Sequence, residues 1–238
     1  MTGGIGLNET TSMGRYDASV LSSRQLARVG ATAAILGGVL WTLKGVVILA
    51  TGEQPPVVFE LGPPLFAVGL IGLYARLGRK GGRAAAAGLV LACVSLLLAG
   101  VLLVAWAFAS DALPAGEDDF TPLSLVIAGA GFSFIAGLVL LGIAARHAPE
   151  LPRRWRSFPL AVGVFAVPGI MIGGGLAELS ERLLELPLVA FALGWIVIGY
   201  LIWPSNQAEQ VATTPKHATL HDCDPGSASV APPKRPFR

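Results

Sequence analysis

Lys44 and Glu60 are the two charged residues that fall inside long apolar stretches of the chain, sixteen positions apart in "LKGVVILATGEQPPVVFE". A lysine and a glutamate in such surroundings can form an ion pair, pass a proton, or hold a polar or ionic solute. Left unpaired in lipid, either would cost at least about 2.5–3.5 kcal/mol on insertion scales, so charged groups inside spans mark candidate functional sites. Two structural roles compete with that reading. The pair can act as a clasp between neighbouring helices, or Lys44 can snorkel toward water along its long stem.

Other residues with chemical potential are scattered. "HATLHDCD" gathers His217, His221 and Cys223 with Asp222 and Asp224, and imidazole and thiolate suit zinc or copper. The stretch lacks the periodicity of a folded element, so no metal site is expected there. All three histidines (His147, His217, His221) lie outside the apolar segments, which excludes paired axial haem ligands within them. Ser133 in "GFSF" has no histidine in a span to act as its base. The chain has no H-E-x-x-H, C-x-x-C or P-loop. A non-enzymatic protein without cofactor or metal is expected.

The elements that must position Lys44 and Glu60 follow from composition. Charged residues make up 13% of the chain and mean hydropathy is +0.67, against about 25% charged in soluble domains. Six runs are free or nearly free of charge: Val29–Ala50, Val57–Ala75, Ala84–Ser110, Phe120–Ala145, Ser157–Ala177 and Leu186–Pro204. Each approaches or exceeds the roughly 20 residues that cross a bilayer as a helix. Strand-like alternation is absent, so a barrel is rejected. The expected fold is an all-α integral membrane protein, a six-transmembrane-helix bundle over 28–204. A mostly disordered tail over 1–27 is expected to precede it, and 205–238 is expected to be a second disordered tail. No cleaved signal peptide is indicated.

Basic residues set the orientation. Of 17, fifteen fall before the first run, between the second and third, between the fourth and fifth, or after the sixth. Arg182 alone lies on the opposite side, with the acids of "DALPAGEDDF" and "AELSERLLEL". Lysine and arginine mark cytoplasmic loops, so both termini are expected in the cytoplasm. Thirteen arginines against four lysines point to a GC-rich bacterial genome, hence to a bacterial cytoplasmic membrane.

This orientation gives the pair its depth. Arg28 to Lys44 and Glu60 to Arg76 are both sixteen residues. That is roughly 24 Å of helix, short of the roughly 30 Å hydrocarbon core. With both arginines at one interface, Lys44 and Glu60 reach the same level near the other. Pro63 and Pro64 then either kink the second helix or start it at Gly62, leaving Glu60 in a lead-in just ahead of a helix N-terminus.

The even-numbered helices share F-x-x-G: Phe66 and Gly69, Phe134 and Gly137, Phe191 and Gly194. Glu60 and Glu185 each begin a Glu-Leu pair six residues before their phenylalanine. Three repeated hairpins would produce that register. Small residues four apart, as in Gly30-Ala34-Gly38 and Ala84-Gly88-Ala92, fit close helix packing. In "AVPGIMIGGGLAELS", Pro168 and Gly173–Gly175 would kink or break the fifth helix. Partners expected are the lipid bilayer, with protein partners or a second copy beyond it, and no nucleic acid. The function expected is a structural or partner-binding membrane component. The alternative is a small transporter or channel-like protein using Lys44 and Glu60.

Overall fold

The structure is a computed structural model that describes residues 10–53, 60–108 and 121–203, with only the backbone for 10–22, 79 and 80. The described residues form six α-helices and no strand. They are α1 Thr10–Thr51, α2 Gly62–Leu77, α3 Gly82–Phe108, α4 Pro122–Arg146, α5 Phe158–Ala177 and α6 Glu185–Ile202. Five are long and apolar enough to cross a membrane, α1 from Ser23 onward, and α2 is a shorter apolar helix. The expected disordered tail over 205–238, with His217, His221 and Cys223, lies outside the described residues.

Two boundaries differ from expectation. Helix α1 does not start at Val29 but at Thr10, running through much of the segment read as a tail. No proline interrupts "TSMGRYDASVLSSRQLARV", so the apolar helix propagates backward through residues of fair helix propensity. Helix α2 begins at Gly62 rather than Val57. Pro63 and Pro64 occupy its first turn, where their missing N–H groups leave no intrahelical bond unmade. Of the two proline readings, the lead-in is the one adopted, while residues 54–59 lie outside the described residues.

Local signals account for the other ends. Gly78 and Gly82 have φ of 61° and 64°, left-handed values that suit glycine and turn the chain between α2 and α3. Thr121 caps α4, its N–H donating to Ser124 Oγ at 3.1 Å ahead of Pro122. Helix α5 continues through Pro168 to Ala177 without a break. After α4, the carbonyls of Glu150 and Leu151 accept from Arg76 Nη2 and Arg156 Nε.

Each helix packs on the next in sequence and α6 returns to α1, closing a ring, while α2 also touches α4 and α6. The core is therefore built by the inner faces of α2, α4 and α6: Leu70, Leu73, Leu138, Leu141, Trp195 and Ile198 are fully buried. Small residues set the close crossings. A Cβ on Gly30 would overlap the Gly72 backbone between α1 and α2, and one on Gly137 would lie 3.3 Å from Gly88 O between α3 and α4. In lipid such backbone approach supplies the dispersion contact that drives association.

Candidate functional site

The structure brings the two charged residues together. Lys44 Nζ, near the end of α1, donates to Glu60 Oε1 at 2.5 Å. Their side chains keep 15% and 25% of their exposure. Glu60 sits in a single 3₁₀ turn with Leu61 ahead of α2, where the helix dipole favours a carboxylate. Lys44 also stands 5.9 Å from the Trp41 ring centroid, one turn back on α1. Among the described residues Glu60 is its one hydrogen-bond acceptor.

A third charge belongs to this group. Glu185, at the start of α6, interacts electrostatically with both Lys44 and Glu60. Its carboxylate lies beside α1, since a Cβ on Gly45 would sit 3.4 Å from Glu185 Oε2. Among the described residues it makes no hydrogen bond or salt bridge. By sequence alone, Glu185 stands only among the acids of "AELSERLLEL" and is not brought to the pair. The signal that finds it is the Glu-Leu register it shares with Glu60, because equivalent positions at the starts of α2 and α6 both meet α1. Arg182, its nearest basic neighbour in sequence, places its guanidinium against Gly52 at the end of α1 instead.

Below the charges the three F-x-x-G phenylalanines converge. Phe66, Phe134 and Phe191 form a triangle with every pair of centroids 6.2 Å apart. The buried Trp195 packs on all three, at 5.0, 5.5 and 6.4 Å. Each following glycine faces the preceding helix: Gly69 meets Ala34 of α1, Gly137 meets Gly88 of α3, and Gly194 meets Val162 of α5.

Above the triangle the bundle encloses a cavity of about 430 Å³, lined by residues of all six helices or the turn before α2. All three phenylalanines line it, so they form its floor toward the arginine-rich end. Glu60 and Trp41 are in its wall, as are Pro63, Pro64 and Ser95. The Ser95 hydroxyl donates to Ala130 O at 3.3 Å, whereas Trp41 Nε1 is buried with no partner among the described residues. The lining is otherwise apolar, and the volume lies within the roughly 300–1,000 Å³ of ordinary ligand pockets.

The remaining candidates stay apart from this site. Ser133 bonds back to Gly129 O on its own helix. Cys93 is exposed. No group of three or more metal-ligating side chains occurs among the described residues. The arrangement suits recognition chemistry: a carboxylate and an indole on an apolar wall offer charge, a donor unpartnered among the described residues, and aromatic surface. Comparison with protein-family models, with curated proteins and with solved structures returns no match.

Proposed function

We propose that this chain is a six-span protein of a bacterial cytoplasmic membrane whose helix bundle is a binding chamber for a lipid-soluble solute, in the manner of a small carrier. The observation that carries the reading is the cavity of about 430 Å³ with Glu60 in its wall. A purely structural clasp would be packed over on both sides. Here Lys44 is held to Glu60 from behind, and Glu60 alone faces the open space. Lys44 then acts as the clasp that fixes the carboxylate, and Glu60 as the polar contact for the solute. The chemistry is recognition, with no bond made or broken.

The same reading places both termini in the cytoplasm, following the distribution of fifteen of 17 basic residues. It also takes the chain as three repeated hairpins. The equilateral phenylalanine triangle and the three glycines, each facing its hairpin partner, support that symmetry. Transporter sites commonly lie at interfaces between such repeats.

Tryptophan quenching tests the chamber. Trp41 and Trp106 line it, and bromine quenches indole emission on contact. In phosphatidylcholine nanodiscs, with Trp155 and Trp203 replaced by Phe, 1-bromodecane is expected to show a saturable component above its linear bilayer background. Purely linear quenching would mean that no chamber is occupied.

A further inference from the structure

We infer that the solute is a single-chain amphiphile with a cationic head group, and that it reaches the chamber sideways from the lipid between α4 and α5. The inference rests on the chamber reading above and adds the ligand's chemical class and route.

The head group follows from charge. Lys44, Glu60 and Glu185 form one cluster with a single positive and two negative formal charges. Among the described residues Arg182 makes no salt bridge to it, its guanidinium lying beside Gly52. One lysine between two partly buried carboxylates leaves an excess negative charge that is costly in a low-dielectric setting, and a cation entering beside Glu60 lowers that cost. An anionic head in the chamber would face the Glu60 carboxylate of a cluster that already carries excess negative charge. An uncharged solute would leave the excess uncompensated. The aromatic surroundings agree: the Trp41 ring already stands near one ammonium, that of Lys44, and Trp41 lines the same wall as Glu60. A carboxylate next to an indole is a combination that recognises ammonium groups.

The tail follows from the rest of the wall. Beyond Glu60, Ser95 and the Trp41 N–H, the chamber presents aliphatic and aromatic carbon down to the Phe66–Phe134–Phe191 floor. One polar end and one apolar end accept a molecule built the same way.

The route follows from how α4 and α5 meet. Their close contacts lie toward the arginine-rich end: Gly142 against Leu160, and Gly163 against Leu138 and Val139. Toward the acidic end, Cβ atoms on Gly131 of α4 and on Gly174 and Gly175 of α5 would meet nothing. Ile127 and Gly131 of α4, with Phe165 and Ile170 of α5, line the chamber and are exposed. Exposed chamber residues where the two helices lose close contact define a lateral window, and Phe132 and Met171 beside it present 76% and 74% of their surface.

The test is displacement of 1-bromodecane by decylammonium, decanol and decanoate, compared at equal mole fraction in the bilayer of the nanodisc. Decylammonium is expected to displace at about tenfold lower mole fraction than decanoate, the scale of a single cation–π or partly screened charge contact. Glu185→Gln is expected to shrink the ratio between decylammonium and decanol. Equal potency of all three displacers overturns the cationic class while saturable quenching keeps the chamber. Absence of saturable quenching overturns the chamber and this inference with it. Gly131→Phe adds a side chain at a position where a Cβ meets nothing, and is expected to block the window and abolish saturable quenching from the lipid phase. Ile170→Trp narrows the same window from α5 and serves where the first variant folds poorly. Unchanged quenching in a folded form of either variant overturns the side entry, and points to a solute arriving from water.

Discussion

Lys44 Nζ and Glu60 Oε1 lie 2.5 Å apart across the connection between α1 and α2, joining residues sixteen positions apart. Removing one partner leaves the other charge partly enclosed, whereas removing both leaves none. Lys44→Leu and Glu60→Leu are each expected to destabilise the protein more than the double substitution. Because the side chains retain some exposure, the single effects should fall below the about 3–5 kcal/mol of a fully buried pair. A double-mutant cycle on unfolding in detergent measures the coupling. Additive single effects would sink the pairing as an energetic contact.

Gly30 and Gly72 approach so closely that a side chain on either has no room. Gly30→Val should therefore cost about 1–3 kcal/mol or more through overpacking and separation of α1 from α2. Gly131→Ala, where a Cβ meets nothing, should leave the melting temperature nearly unchanged. Similar losses for the two variants would show that helix propensity, and not close approach, governs these positions.

Truncating the chamber floor should separate stability from occupancy. Phe66 is 2% exposed and touches Trp41, Phe134, Phe191 and Trp195, so Phe66→Ala should cost about 3–5 kcal/mol. Phe134 and Phe191 are only partly buried, and their replacement should cost less while enlarging the chamber. Unfolding and 1-bromodecane quenching, measured on all three variants, read the two effects independently. Weaker destabilisation by Phe66→Ala than by Phe134→Ala would contradict the packing described.

Reporter fusions test the orientation. Fusions after Gly81, Pro152 and Ser205 should report the cytoplasm, and one after Gly116 the opposite side. A cytoplasmic signal at Gly116 would require either a different number of crossings or the reverse orientation.

The helices were legible in the chain because apolar runs bounded by charge are long and nearly uninterrupted. Matched spacing from Arg28 and Arg76 was enough to bring Lys44 and Glu60 to one level. The phenylalanine triangle was half legible: the F-x-x-G register identified its members, but register alone cannot say that three rings meet. Two features were hidden for physical reasons. The backward extension of α1 depends on cooperative propagation from a helix already formed, which residue polarity in 10–28 does not reveal. The chamber depends on how far α4 and α5 diverge, and a void leaves no residue type of its own in the sequence.

Helix α2 has a consequence for how the protein enters a membrane. It is the shortest of the six, opens with two prolines, and follows the short 3₁₀ turn that carries Glu60. Such a segment is a poor candidate for insertion by itself, because its 16 residues fall short of the roughly 20 that cross the hydrocarbon core. Here α1, α3, α4 and α6 surround it. Biogenesis should accordingly deliver α1 and α2 as one hairpin, with Lys44 neutralising Glu60 during transfer. Measured in a translocon assay, α2 fused alone to a reporter should integrate poorly. The same segment preceded by α1 should integrate well, and Lys44→Leu should reduce that gain.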